Sequence, residues 1–269
     1  MKAGIGRAPV DIEGMFTVAG HEIYLSCRGG PGHTVILEAA IGEDHTNLLP
    51  IAQRIRNRAY ACVYDRTGVG RSTKPKSAVT ARDHVAEVHE LLELADVARP
   101  AVLVGHSYGG IVALMETVEH PEDVAGLILV DSAHPHQDAR LESVMSDEQR
   151  QAYRALSADT PSVDFATSLT EAAAEYGPLP AIPLTIITAT HGFVKGEAWM
   201  EGLPGDAMQA VWLELQEEHA RLRPDARHIK AGTGHYVHED DPDVVVDEII
   251  HMLESLDTSQ RRPAQAAHA

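Results

Sequence analysis

Short apolar runs alternate along the chain with longer segments in which apolar residues recur every three or four positions. The short runs are typical of buried strands, and the longer segments are typical of amphipathic helices. The predicted strands occupy residues 15–19, 23–27, 34–37, 59–64, 101–104, 125–130, 183–190 and 226–230, and the predicted helices include 47–57, 81–95, 206–222 and 243–256. This alternation predicts parallel β-α-β units, with a ligand site at the carboxyl ends of the strands.

Two segments depart from the alternation. Residues 134–180 are rich in Ala, Glu, Gln and Ser, which predicts a short helical insertion, a lid, over the site. Residues 257–269 are polar and small, which predicts a disordered tail. The remaining pattern contains no repeat, and its length suits one core, so we expect a single domain over residues 1–269.

Charge and hydropathy exclude several classes of partner. The formal net charge is −18, with 40 acidic residues against 22 Lys and Arg, and no basic stripe is present to neutralise nucleic-acid phosphates. The N-terminal segment lacks an apolar signal core, and no apolar run is long enough to span a membrane. We therefore expect a cytoplasmic protein that acts on a small molecule, without nucleic acid or membrane. The pattern leaves the oligomeric state undetermined.

Cysteine and histidine usage predicts neither a cross-link nor a metal centre. Cys27 and Cys62 lie in strand-like runs and are interpreted as small core residues without a disulfide. The 16 histidines are scattered, and the close pairs 134/136 and 235/238 lack a Cys or HExxH context. We expect no metal and no cofactor.

The strongest chemical signal is the segment 105–110, GHSYGG. It joins the apolar run 101–104 to a helical segment without a breaker until Pro121, so a serine lies at a strand-to-helix turn with the G-x-S-x-G spacing. Glycines two positions on either side leave room for a strained turn, and the helix N-terminus favours an anion beside the hydroxyl. Ser107 is the predicted nucleophile, and His106 is expected to point away from the site in a structural role.

Together with YDRTGVGRS upstream and GTGHYVHEDDP downstream, GHSYGG resembles the corresponding segments of the α/β-hydrolase superfamily over nearly the whole length. The resemblance implies an α/β fold with a mostly parallel eight-stranded sheet flanked by helices. It also implies a Ser-His-Asp triad that works without a cofactor, and it leaves the substrate open.

His235 is the predicted general base because it follows the last predicted strand in a glycine-rich loop that can bring an imidazole over Ser107. His238 is the competitor, disfavoured because Gly234 directly precedes His235 and the superfamily's histidine occupies that place. Most of the superfamily has its acid after the strand written here as LTIITAT, but no carboxylate follows at that turn. Asp131, at the end of the preceding strand, is the favoured acid. The alternatives are Asp206, Glu201 and Glu197.

The oxyanion hole is expected to use two backbone N–H groups. One belongs to Tyr108, directly after the nucleophile, and position-by-position matching to the superfamily assigns the other to Ala40. The superfamily often has His-Gly-x there, whereas this chain has Glu38 in place of the histidine, so the hydrogen bonding of this loop is left open. Each such donor typically contributes about 3 kcal/mol of transition-state stabilisation.

These residues predict a serine hydrolase that cleaves a carboxylic ester, lactone, thioester or amide of a small molecule through an acyl-enzyme. Serine at position 107 argues against the dehalogenase and epoxide-hydrolase branches, which use a carboxylate nucleophile. Two alternatives stay open: an acyltransferase or cyclase of a biosynthetic pathway on the same triad, and a non-enzymatic ligand receptor on the same fold.

Overall fold

The computed structural model describes residues 10–157, 162–191 and 201–261, and an eight-stranded sheet runs through them. Its strands are β1 (Ile12–Val18), β2 (His21–Gly29), β3 (Thr34–Glu38), β4 (Tyr60–Asp65), β5 (Ala101–His106), β6 (Val124–Val130), β7 (Leu184–Ala189) and β8 (Arg227–Ala231). The helices are α1 (His45–Ile55), α2 (Ala81–Leu94), α3 (Tyr108–Glu119), α4 (Gln137–Glu142), α5 (Asp147–Ser157), α6 (Phe165–Glu175), α7 (Gly205–Ala220), α8 (Val237–Asp240) and α9 (Pro242–Arg261).

The strands lie in the order β1-β2-β4-β3-β5-β6-β7-β8. β1 and β2 form an antiparallel hairpin, β2 pairs antiparallel with β4, and every later pairing in the order is parallel. The predicted mostly parallel sheet of eight strands is therefore confirmed. Its parallel part directs the carboxyl ends of β3, β5, β6, β7 and β8 towards one edge, where the candidate site lies.

The central strands are apolar because helices cover both faces of the sheet. Every residue of β3, β4, β5 and β7 is buried, as expected for a parallel sheet inside two helical layers. One apolar layer joins the sheet to α2, α3 and α6, and the opposite layer joins it to α1 and α9. A smaller cluster around Trp212 connects α4 and α5 to α7.

The two cysteines correct one expectation. Cys27 on β2 and Cys62 on β4 face each other in the antiparallel register, with Cα atoms 4.0 Å apart, and they form a disulfide. The prediction of two unconnected core cysteines was wrong. The apolar pattern located both strands correctly, but it carries no information on which strands pair, and β2 pairs with β4 although β3 lies between them in sequence.

Three helices, α4, α5 and α6, fill the segment between β6 and β7. α6 packs on α2 and α3, and its buried Leu169 and Ala172 belong to the main apolar layer. α4 packs on α7 instead. The described parts of the segment contain helices, as predicted, and its action as a lid stays a prediction.

The chain's last helix is longer than predicted. α9 continues past residue 256 as far as Arg261, and the rest of the predicted tail, 262–269, lies outside the described residues. None of the helices described has the length and apolar character that crossing a membrane requires.

Candidate active site

Ser107 lies at the turn between β5 and α3 in a strained conformation, with φ 52° and ψ −119°. The flanking glycines are a steric necessity. A Cβ on Gly105 would come within 2.6 Å of the Gly109 carbonyl oxygen. A Cβ on Gly109 would come within 2.2 Å of the Glu38 backbone carbonyl oxygen. The turn is fixed from the neighbouring strand, because Ser107 N–H donates to Val130 O (3.2 Å) and Ala133 N–H donates to Ser107 O (3.0 Å).

Asp131 and His235 form a hydrogen-bonded pair beside this turn. The Nδ1 of His235 lies 2.7 Å from Asp131 Oδ2. Asp131 is completely buried at the end of β6, in a positive-φ conformation of 40°. Its other oxygen, Oδ1, accepts hydrogen bonds from the Trp212 indole N–H and the Ala189 backbone N–H, each at 3.0 Å. Three donors therefore fix the carboxylate, which in turn fixes the imidazole with its proton on Nδ1.

The His235 ring lies next to the turn that carries Ser107. His106, directly before Ser107, donates from Nε2 to the His235 carbonyl oxygen at 3.0 Å, and the two rings lie 4.7 Å apart between centroids. Burial lowers the pKa of His235, and the hydrogen bond to Asp131 opposes this without reversing it. His235 is therefore neutral near pH 7, the form in which an imidazole can accept a proton.

The competing residues occupy other surroundings. His238 is buried in α8 and packs against the His106 ring, 4.6 Å between centroids. Glu201 and Asp206 are exposed around the start of α7. Glu197 lies outside the described residues. Among the predicted acids, Asp131 is the one whose described contacts include His235.

The loop after β3 packs directly on the N-terminus of α3, where Tyr108 is the first helical residue. The Ala40 N–H, the second predicted oxyanion donor, donates to the Glu43 carboxylate (Oε2, 3.1 Å). The Ala40 amide therefore lies beside the turn that carries Ser107 and already binds an anionic oxygen.

Glu38, which replaces the superfamily's histidine, organises this loop through a buried ion pair. Its Oε2 accepts from the Tyr64 hydroxyl (2.5 Å) and lies 3.4 Å from Arg66 Nη1. Arg66 also donates to the Ala40 carbonyl oxygen (2.5 Å), and its guanidinium lies 5.4 Å from the centre of the Tyr108 ring. Burial raises the pKa of Glu38, while Arg66 and Tyr64 oppose the rise. The hydrogen bonding that the sequence left open is thus supplied by Arg66.

Three groups of side chains in the described ranges could hold a metal ion: Glu43/His106/His238, His89/Glu116/His120 and Asp44/His45/Asp65. In the third group, His45 Nδ1 already contacts Asp65 (2.8 Å). In the second, the Arg99 guanidinium lies 3.4 Å from His89 Nδ1, which disfavours a cation. The first group borders the candidate site, and no spacing in the sequence predicts it.

The electrostatics of the first group favour metal ligands in the correct protonation state. Burial lowers the pKa of His238 to about 4, which keeps the ring neutral near pH 7. Burial raises the pKa of Glu43, but His106 and the Ala40 amide together lower it by more than burial raises it. The net shift is therefore downward, and the carboxylate is charged. A neutral imidazole and an ionised carboxylate are the forms that bind metals.

Behind the site runs a one-way chain of hydrogen bonds. The His136 N–H donates to His134 Nδ1 (3.1 Å), which leaves the His134 proton on Nε2, 2.9 Å from the Tyr176 hydroxyl. Tyr176 then donates to His219 Nδ1 (3.2 Å), and His219 Nε2 donates to the Ala133 carbonyl oxygen (3.1 Å). This chain of hydrogen bonds connects the end of α6 and helix α7 to the segment after β6, which supports Asp131 and Ser107.

Trp212 is the clearest residue whose role the sequence did not indicate. Its indole N–H donates to Asp131 Oδ1. The apolar pattern of an amphipathic helix does not reveal what the N–H of a buried tryptophan contacts.

The model of the alpha/beta hydrolase family matches residues 42–248, and the chain belongs to that family. The uncharacterized protein YqjL of Bacillus subtilis is 26% identical over 81% of this chain and 88% of its own length. Two further relatives match over shorter stretches. A putative carbamate hydrolase, RutD, of Caulobacter is 31% identical over 40% of this chain and 42% of its own. A proline iminopeptidase of Saccharolobus solfataricus is 31% identical over 44% and 39%. The chain thus spans about two-fifths of each of those two relatives.

Solved structures show the same fold at low identity. An enol-lactonase from Burkholderia xenovorans superposes with a TM-score of 0.62 at 17% identity, covering 89% of this chain and 99% of its own. A thermophilic esterase from Thermogutta terrifontis gives a TM-score of 0.65 at 17% identity, covering 92% and 99%. The family and its neighbours support a hydrolase.

Proposed function

We propose that this protein is a serine hydrolase that cleaves the ester, lactone, thioester or amide bond of a small molecule through an acyl-enzyme on Ser107. The observation that carries the proposal is the 2.7 Å contact between His235 and the triply held carboxylate of Asp131, beside a serine in a strained strand-to-helix turn. A fixed carboxylate, an imidazole and a strained serine are the three groups that acyl transfer requires.

In the proposed mechanism, Ser107 Oγ attacks the substrate carbonyl carbon while its proton passes to His235 Nε2. Asp131 stabilises the resulting imidazolium through Nδ1–H. When the tetrahedral intermediate collapses, the leaving group takes the proton from Nε2 and the acyl group stays on Ser107. Water repeats the sequence, since it gives a proton to His235, attacks the acyl carbon and returns Ser107 to its hydroxyl form.

The Tyr108 and Ala40 N–H groups are the proposed oxyanion donors. Tyr108 is at the helix N-terminus, where the helix dipole also favours negative charge. The Ala40 amide binds the Glu43 carboxylate in the free protein, so the substrate oxygen must replace that carboxylate. Arg66 holds the carbonyl of the following peptide, Ala40–Ile41, so it can keep the loop in place when the carboxylate leaves the Ala40 N–H.

The relatives support the reaction class. Their names include a lactonase, an esterase and a putative carbamate hydrolase, all of which describe cleavage beside a carbonyl carbon. We also propose that the helical segment 134–180 acts as the lid that restricts which acyl groups reach Ser107.

Intact-mass analysis after treatment with a serine-directed fluorophosphonate tests the proposal. One adduct is expected on the wild type and none on Ser107→Ala, while Ser143→Ala, which removes an exposed hydroxyl, should keep the adduct. A panel of esters, thioesters and lactones should then show turnover that Ser107→Ala abolishes. Normal turnover by Ser107→Ala would remove this serine from the mechanism, and an adduct without turnover of any substrate would favour a receptor.

A further inference from the structure

Glu43, His106 and His238 bring three potential metal-ligand atoms together in a buried position, all within 4.8 Å of one another. The side chains of His106 and His238 are each 1% exposed, and that of Glu43 is 13% exposed. Glu43 comes from the loop after β3, His106 from the end of β5 and His238 from α8, so three separate parts of the chain converge here.

The hydrogen bonds of His106 fix where its lone pair points. Its Nε2 lies 3.0 Å from the His235 carbonyl oxygen, which is an acceptor only, so the proton must be on Nε2. In its neutral form the ring then presents the Nδ1 lone pair, and that atom lies 3.7 Å from Glu43 Oε2 without a hydrogen-bond partner of its own. A lone pair that faces a buried carboxylate oxygen is unfavourable unless a positive charge lies between them.

His238 separates the two ways of supplying that charge. Both of its ring nitrogens are buried and lack a hydrogen-bond partner, an arrangement that costs free energy unless something binds there. A proton on His106 Nδ1 would satisfy Glu43 but would leave both nitrogens of His238 unsatisfied. A metal ion bound by one atom from each of the three side chains satisfies the Glu43 carboxylate, the His106 lone pair and one lone pair of His238 together.

We propose that Glu43, His106 and His238 form a binding site for a divalent transition-metal ion of the Zn²⁺ type. Two imidazoles and one carboxylate are a usual ligand set for zinc. Zinc-to-ligand distances of about 2.0–2.2 Å require the side chains to close in by roughly 1 Å. The His106 ring also has the outer hydrogen bond, from its other nitrogen to a backbone carbonyl, that zinc-binding histidines have.

The ion would connect the two loops that carry the proposed chemistry. Glu43 lies in the loop after β3 and His106 holds the His235 carbonyl, so occupancy would link the two loops, while the substrate oxygen would still replace the Glu43 carboxylate at the Ala40 amide. This consequence rests on the proposed function, whereas binding of the metal does not.

The test is metal binding by the full chain, prepared without a histidine tag and stripped with a chelator. Calorimetric titration with Zn²⁺ and absorption titration with Co²⁺ should each give one site per chain. His238→Gln and Glu43→Gln should weaken Zn²⁺ binding by about 100-fold or more, because losing even an outer partner of a ligand costs about 10–100-fold. His251→Gln, which changes an exposed histidine on α9, is the matched control and should bind as the wild type does.

His89→Gln provides a second control, because it removes a member of another histidine group. Binding that His89→Gln abolishes and His238→Gln leaves intact would overturn the proposal, and so would the absence of any site in the wild type. Circular dichroism of each variant checks folding, and Glu43→Gln keeps the test valid should His238→Gln fail to fold. Fluorophosphonate labelling of the same samples reports on Ser107 separately, so a failed metal site and a failed serine hydrolase give different results.

Discussion

The hydrogen-bond chain through Tyr176 allows a stability prediction whose size follows from the structure. Tyr176→Phe keeps the ring and removes only the hydroxyl, which accepts from His134 and donates to His219. Both histidines are completely buried, so neither orphaned nitrogen can turn to solvent. Leaving a buried polar group unsatisfied costs about 1–3 kcal/mol, so two such groups should lower the free energy of unfolding by roughly 2–4 kcal/mol.

That loss is a large part of the 5–15 kcal/mol that typically stabilises a domain, and in a chain of this size it corresponds to a Tm decrease on the order of 5–10 °C. Equilibrium unfolding in urea at neutral pH, followed by far-ultraviolet circular dichroism, measures the loss directly. Tyr60→Phe is the matched control, because its hydroxyl donates to the carbonyl of the exposed Val10, where water can replace it. We expect that control to lose about 1 kcal/mol or less. Equal losses of unfolding free energy for the two variants, both below 1 kcal/mol, would refute the continuous chain of hydrogen bonds through Tyr176.

Three further predictions follow from other features of the site and the fold. Burial lowers the pKa of His219 to about 4, so as the pH falls the unfolded chain takes up a proton before the folded one does, and the contribution of this residue to stability should be complete above pH 6.5 and decrease between about pH 6.5 and 4. The loss from His219 should reach about 2 kcal/mol at pH 5, and a urea midpoint that is unchanged from pH 7.5 to 5 would contradict it. Asp131→Asn should lower kcat on the best ester by roughly 10³–10⁴-fold, because an amide cannot hold His235 in the required tautomer, and a near wild-type rate would assign the acid elsewhere. Replacing Cys27 and Cys62 together by Ala should lower the free energy of unfolding by about 3–4 kcal/mol, because the unfolded chain regains the entropy of a loop closed across 35 residues. Equal urea midpoints for the variant and the oxidised wild type would argue against the cross-link.

The apolar pattern predicted most of the fold because each central strand is buried on both faces and reads as a continuous apolar run. The position of Ser107 at a strand-to-helix turn was predictable for a similar local reason, since the strand, the turn and the helix are contiguous in sequence. The partner of β2 was not predictable, because β2 skips β3 to pair with β4, and the disulfide follows from that pairing. Pairing of distant segments is a property of the folded chain and leaves no local signal.

The candidate site shows the same division. The closeness of Ser107, Asp131 and His235 in the fold could be inferred because each follows a strand, and a parallel sheet brings the carboxyl ends of its strands to one edge. The contact between the Ala40 amide and Glu43 could not, because it depends on how the loop folds back on itself. Likewise, the meeting of Glu43, His106 and His238 depends on α8 lying close enough to the end of β5 for the His238 and His106 rings to touch, and no spacing in the sequence encodes it.

The disulfide has a practical consequence for studying the helical segment between β6 and β7. Because Cys27 and Cys62 are the chain's two cysteines and are joined to each other, the protein presents no thiol to a labelling reagent. A cysteine introduced at the exposed Glu148 of α5 would therefore be the single reactive position. A fluorophore attached there would report whether α5 moves when an acyl group occupies Ser107, with no second label to confuse the signal.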